Sequence, residues 1–289
     1  MYTLEEIAKG LEQAGYMPSS EVAFAAGTVI NFKRPLIVEG APGTGKTSLA
    51  KAVSEWLGLP LIRMQFYEGL TAEQILYDYD YQKQLLTIQA ISSALSEELK
   101  GKTADEAIRA VQGMDFYSRD FIIPRPLMKA LTQPTRCVLL LDELDKSSEE
   151  AEHILLEFLE SYEISVPQLG TISCPEGREP LVFITSNCFR ELSEPLKRRC
   201  GYLYIQPKSE QELKDIILQK VKADPLIAEQ VAGAVIKLQN RNDIEQKPST
   251  AEALDWARLM KETGDDLKST ALAVAKTKRD VKTVQKVLS

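Results

Sequence analysis

Gly40-Ala41-Pro42-Gly43-Thr44-Gly45-Lys46-Thr47 satisfies the pattern G-x-x-x-x-G-K-[ST], and its surroundings give that pattern meaning. A short apolar run, Leu36-Ile37-Val38, precedes it and a helical stretch, Ser48 to Leu57, follows. The loop is therefore expected to turn a strand into a helix. Such a turn cradles phosphates, because glycines let the backbone N–H groups face inward and the helix N-terminus adds partial positive charge. Gly40, Ala41, Pro42, Gly43, Thr44, Gly45, Lys46, Thr47 and Ser48 are the expected nucleoside triphosphate contacts. Lys46 would bring a full charge to the β- and γ-phosphates and Thr47 a hydroxyl to Mg²⁺.

A phosphate loop needs a partner that positions metal and water, and Cys137-Val138-Leu139-Leu140-Leu141-Asp142-Glu143 supplies one. An apolar run ending in acids reads as a Walker B strand. Asp142 would hold Mg²⁺ and Glu143 would polarise the attacking water. The second carboxylate suits hydrolysis better than transfer to a bound small substrate. A later strand ends Thr185-Ser186-Asn187, which places a neutral amide beside these acids as a sensor of the γ-phosphate. Glu194-Pro195-Leu196-Lys197-Arg198-Arg199-Cys200 then offers paired arginines before the last strand, where one can reach a neighbouring subunit's γ-phosphate in an oligomer.

The 289 residues divide into strands alternating with helices up to about residue 206, and helical patterns only from 207 to 289. Expected strands are Leu36–Val38, Leu61–Phe66, Cys137–Asp142, Leu181–Ser186 and Tyr202–Ile205, near-continuous apolar runs of a parallel sheet covered on both faces. The fold class is α/β, a five-stranded P-loop core over 1–206 with a small helical lid over 207–289. Capping boxes at Thr3/Glu6, Ser209/Glu212 and Ser249/Glu252 mark helix starts, and further helices are expected near Pro225 and Asp265. An insertion at about 70–130, with boxes at Thr71/Gln74 and Thr103/Glu106, is a candidate client-contacting element.

Net charge is −7, with the negative excess before Pro207, which disfavours a nucleic-acid track. The basic stretch Lys268 to Lys286 reads as the solvated face of a helix that includes Asp280. No run is long enough to span a membrane, and the N-terminus lacks the basic and apolar parts of a signal peptide, so a cytoplasmic protein is expected. Cys137, Cys174, Cys188 and Cys200 lack metal-ligand spacing and read as reduced packing residues; His153 reads as a helix-surface residue. Tyr67 and Tyr117 are read as core residues before client contacts.

On these motifs, together with Gln65-Phe66-Tyr67-Glu68-Gly69-Leu70, Tyr81-Gln82-Lys83-Gln84-Leu85-Leu86, Val166-Pro167-Gln168-Leu169-Gly170-Thr171-Ile172 and Leu196-Lys197-Arg198-Arg199-Cys200, the chain resembles the AAA+ ATPases. Within them it is similar to the MoxR family and its CoxD-like branch. The resemblance implies a ring, usually a hexamer, that hydrolyses ATP with Mg²⁺ between subunits. Such rings remodel protein clients, often beside a partner with a von Willebrand factor A domain; CoxD-like members mature the metal centre of molybdenum-dependent carbon monoxide dehydrogenase-type enzymes. It carries over Lys46, Thr47, Asp142, Glu143, Asn187 and Arg199 as site residues, with Arg198 as the alternative finger, and Gln65 as a polar switch on Glu143. The other readings are a Rubisco activator like the CbbQ branch and a nucleotide-switched adaptor with little turnover. One departure stands out: the sensor-2 arginine's place reads Pro248-Ser249-Thr250-Ala251-Glu252, leaving Lys247 or Arg258 as displaced substitutes.

Overall fold

The computed structural model describes residues 1–98, 118–166 and 169–288. The Thr103/Glu106 capping box, Tyr117 and the Pro167-Gln168 part of the motif segment lie outside them. The elements in chain order begin with α1 (Leu4–Gln13), α2 (Ser20–Phe32), β1 (Leu36–Gly40), α3 (Lys46–Leu57) and β2 (Leu61–Gln65). Next come α4 (Ala72–Leu76), β3 (Tyr77–Tyr79), α5 (Tyr81–Glu98), β4 (Ile122–Pro124), α6 (Pro126–Thr132) and β5 (Val138–Asp142). Then follow α7 (Glu149–Ser161), β6 (Glu163–Val166), β7 (Gly170–Ser173), β8 (Leu181–Ser186), α8 (Glu194–Arg199) and β9 (Gly201–Ile205). The chain closes with α9 (Glu210–Val221), α10 (Pro225–Gln239), α11 (Thr250–Thr263) and α12 (Lys278–Leu288).

All five expected strands form one parallel sheet in the order β2-β5-β8-β1-β9. β5 and β8 lie inside it and are buried along their whole length. Their alternate residues serve opposite faces, as the two-residue strand period requires. Leu36, Val38, Val138, Leu140 and Phe183 pack under α1, α2 and α3, while Ile37, Leu139, Leu141 and Ile184 pack under α4, α6, α7 and α8. Continuous apolar strands are thus explained by two covered faces. The edge strand β2 alternates less apolar residues and carries Arg63 and Gln65 on its exposed margin. Two antiparallel pairs, β3–β4 and β6–β7, decorate the core. The first of these was not expected from the sequence, since three-residue strands carry no periodic signal.

Helices α9 to α12 gather a separate apolar cluster around Trp256, which is fully buried and donates its indole N–H to the Thr270 hydroxyl at 2.9 Å. Three capping boxes form where expected, at Thr3/Glu6, Ser209/Glu212 and Ser249/Glu252; at Thr71 the backbone N–H donates to Gln74 Oε1. The helix expected near Asp265 does not form. Asp266 accepts from Ser269 N–H and its carbonyl accepts from the Thr270 hydroxyl, so the chain makes a turn and then a 3₁₀ segment, Ala271–Val274. The stretch Lys268 to Lys286 is therefore no single helix, and Asp280 is not on a solvated face. It is 1% exposed and accepts the backbone N–H groups of Glu245 and Gln246. Cys137 and Cys200 are buried packing residues, but Cys174 is half-buried and Cys188 exposed. Tyr67 is 50% exposed, against its reading as a core residue, because it follows the end of β2 and leaves the sheet. His153 is exposed on α7.

Candidate functional site

The turn between β1 and α3 has the predicted strand-loop-helix form, with the helix starting at Lys46, two residues earlier than read. Gly40, Gly43 and Gly45 have φ of 152°, 77° and 101°. Glycine is obligatory at 43 on two counts: its φ is left-handed, and a Cβ there would stand 2.2 Å from Ser249 Cβ. Lys46 is buried, and its Nζ donates to the carbonyls of Gly40 at 2.7 Å and Ala41 at 2.9 Å. Burial pulls its pKa below the ordinary lysine value, opposed by the negative charges of Asp145, Asp142 and Glu143 nearby.

β5 ends beside this loop. Asp142 Oδ1 accepts from the Thr47 hydroxyl at 2.9 Å and from the Thr185 hydroxyl at 2.6 Å, and Thr185 Oγ1 in turn accepts the Glu143 N–H at 2.9 Å. A hydroxyl and a carboxylate this close are hard oxygen donors of the kind that, with phosphate and water, hold Mg²⁺. Glu143 takes φ 58°, which turns its side chain off the strand line. Its Oε2 accepts from Gln65 Nε2 at 2.8 Å and pairs with Lys146 Nζ at 2.7 Å; Asn187 Nδ2 approaches Oε1 at 3.4 Å. The hydrogen bond to Glu143 raises the Lys146 pKa. Asp145, 3% exposed, fixes the loop after β8 by accepting the N–H groups of Asn187 and Phe189, each at 2.9 Å.

Lys46, Thr47, Asp142, Glu143, Thr185 and Asn187 meet at one cavity of about 310 Å³. Pro42 to Ser48, Asp142, Glu143, Thr185 and Asn187 form one wall; Gly15, Tyr16 and Met17 form another. The C-terminal helices close it with Ile216, Lys220, Thr250, Ala251 and Leu254, while Lys208 comes from the segment after β9. Gly40 and Ala41 do not line it; they hold Lys46. Arg198 and Arg199 lie elsewhere, with Glu194 and Pro195 around a separate surface depression. Arg199 pairs there with Glu160 of α7 at 2.9 Å.

Sequence reading missed Arg63, Lys146, Asp145, Thr185 and the Tyr16 wall. The third acid of Asp142-Glu143-Leu144-Asp145 was a usable signal, since the 3₁₀ turn Leu144–Lys146 aims it back at the loop after β8. Of the proposed sensor-2 substitutes, neither Lys247 nor Arg258 lines the cavity; Arg258 is half exposed and pairs with Asp255 at 3.2 Å. Arg258→Ala should therefore leave nucleotide turnover within about twofold in a steady-state assay, an exposed i,i+3 pair being worth little. A tenfold loss would assign it a sensing role. Tyr16 is 8% exposed, its hydroxyl has no hydrogen-bond partner among the described residues, and the ring lies 3.5 Å from where a Cβ on Gly45 would stand. Burial raises its pKa. Tyr16→Phe should leave the thermal midpoint unchanged or raised, because it removes a buried hydroxyl that no protein group satisfies. A fall of several degrees would show that the hydroxyl is bonded.

Residues 35–200 match the family model described as AAA domain (dynein-related subfamily). No curated protein matches the chain. The fold is similar to the Thermotoga maritima RuvB Holliday junction branch migration motor, at 15% identity over 99% of this chain and 72% of that one, TM-score 0.48. An alanine-to-serine mutant of the same RuvB aligns at 16% identity over 99% and 72%, TM-score 0.50. Among the described residues no helix is long and apolar enough to cross a membrane.

Proposed function

The chain belongs to the AAA domain family, dynein-related subfamily, and from that premise we propose that it is an ATP hydrolase working as a ring of identical subunits. The observation that carries this reading is the meeting of Lys46, Thr47, Asp142, Glu143 and Asn187 at one cavity while Arg198 and Arg199 lie outside it. Lys46 and the loop N–H groups bind the β- and γ-phosphates; Thr47 and Asp142 would hold Mg²⁺, which would supply neutralising charge at the phosphates. Glu143 takes a proton from the attacking water, and Asn187 orients that water. The proton leaves on Glu143 as the bond to the leaving diphosphate breaks. Arg199, or Arg198 beside it, completes a neighbour's site.

Residues 1–206 form the nucleotide domain in this reading and 207–289 the lid, in a cytoplasmic MoxR-type chaperone of the CoxD-like branch. Its client is an enzyme complex, with a molybdenum-dependent carbon monoxide dehydrogenase-type hydroxylase as the leading candidate and a von Willebrand factor A domain protein as partner. The motif segments around Gln65 and Tyr81 support this branch. The charge of −7 argues against carrying over the DNA substrate of RuvB. The test is capture from native extract by the Glu143→Gln variant held in ATP. A von Willebrand-type partner with a molybdenum hydroxylase subunit supports the branch; recovery of Rubisco moves the chain to the activator reading. Steady-state ATPase activity that rises steeply with protein concentration favours the ring over a nucleotide-switched adaptor.

A further inference from the structure

Arg63 has no task in the scheme above, yet it touches Asp142 directly and reaches Glu143 through Gln65. It precedes Gln65 by two residues on the edge strand β2, so the two side chains leave the same face. The parallel register sets Arg63 beside Leu140 and Gln65 beside Asp142. The guanidinium donates from Nε at 3.0 Å and from Nη2 at 2.7 Å to Asp142 Oδ2, on the opposite side of that carboxylate from Thr47. The same Nη2 donates to Gln65 Oε1. This contact consumes the amide oxygen and so turns Nε2 toward Glu143, which accepts it at 2.8 Å. A flipped amide would set an NH₂ group against a guanidinium, two donors with no acceptor between them. Asp142, Arg63, Gln65 and Glu143 thus form one unbroken chain of hydrogen bonds. The Arg63 side chain is 48% exposed while that of Asp142 is 4% exposed, so the guanidinium compensates a buried carboxylate from the solvent side.

We propose that Arg63 is a positioning residue that couples the magnesium ligand Asp142 to the water-activating Glu143 through the Gln65 amide. The proposal rests on the ATPase reading of the site. It has two separable parts. The guanidinium offsets the negative charge of Asp142 and so opposes a second cation there. It also locks Gln65 in the orientation that holds Glu143, so the state of one carboxylate is felt at the other.

The test combines two measurements on the full-length protein: ADP affinity by calorimetry with Mg²⁺ and with EDTA, and steady-state turnover. The variants are Arg63→Met, Arg63→Lys, Gln65→Ala and the Arg63→Met/Gln65→Ala double. Arg63→Met should enlarge the Mg²⁺-dependent gain in ADP affinity at least about fivefold, whereas Arg63→Lys, which keeps the charge, should change it less than about twofold. For turnover, both single changes should shift kcat in the same direction, and the double variant should match Gln65→Ala within about twofold, because each breaks the same link. Multiplying kcat effects, or an unchanged Mg²⁺ gain in an Arg63→Met protein that melts normally, overturns the coupling. A wild-type protein that binds ADP but never turns over ATP overturns the ATPase reading, and with it the link to Glu143. The calorimetry alone then decides whether Arg63 tunes Asp142.

Discussion

Arg199→Ala is expected to lower kcat for ATP by about 10³-fold or more while leaving ATP affinity within about twofold, the signature of an arginine that acts on transition-state charge in a neighbour's site. The geometry makes this a clean experiment. Arg199 does not line the cavity of its own subunit, and its ion pair with Glu160 joins side chains 36% and 68% exposed. Losing such a pair costs about 0 to 1 kcal/mol, too little to unfold the chain, so a large kinetic loss cannot be charged to stability. Mixing supplies the decisive arm. Arg199→Ala subunits keep an intact Lys46 pocket, and Lys46→Ala subunits keep an intact arginine. Combined, they should recover a fraction of wild-type turnover that neither shows alone. No recovery would place the arginine's effect within its own subunit. A full loss in Arg198→Ala with none in Arg199→Ala would move the finger by one residue.

Glu143→Gln should bind ATP with near-normal affinity and hydrolyse it about 10² to 10⁴ times more slowly, the usual contribution of a positioned general base. Binding survives because the phosphate contacts come from Lys46, Thr47 and the loop, none of which donates to Glu143. Folding survives as well: the Glu143–Lys146 pair is about a third exposed on each side, and an amide oxygen can still accept from Gln65 or Asn187. Single-turnover cleavage of labelled ATP reads the chemical step apart from product release. Cleavage at the wild-type rate would remove Glu143 from the role of base.

What the sequence made legible was whatever is written locally. The octet at Gly40 to Thr47, the apolar strands and the capping boxes each lie within a few residues, and the structure places the octet, the five strands and the boxes at Thr3/Glu6, Ser209/Glu212 and Ser249/Glu252 as read. The gathering of Asp142 with Thr47 followed once the loop was recognised; the strand order β2-β5-β8-β1-β9 came only with the structure. The contacts that tune the site were not legible, because they pair residues far apart in the chain. Arg63 meets Asp142 across 79 positions and Thr185 meets it across 43. An arginine on an edge strand looks like any solvated charge until the register is known. Asp280 failed for the same reason: among lysines it read as a surface acid, yet it closes the turn at Glu245 and Gln246. The Asp265 helix failed because the next residue, Asp266, spends its carboxylate on the Ser269 N–H, and an aspartate suits such a turn as well as a cap.

The contact between Gly43 and Ser249 joins the tip of the phosphate loop to the residue that caps α11, with no space for even a methyl group between them. Close-packed matter passes displacement on instead of absorbing it. A loop that swells outward by a few tenths of an ångström therefore pushes Ser249, and Ser249 stands at the head of the helix whose Trp256 anchors the C-terminal cluster. The seam between the β1–α3 turn and the C-terminal helices is thus one glycine hydrogen wide, and neither side can shift toward the other without the other yielding.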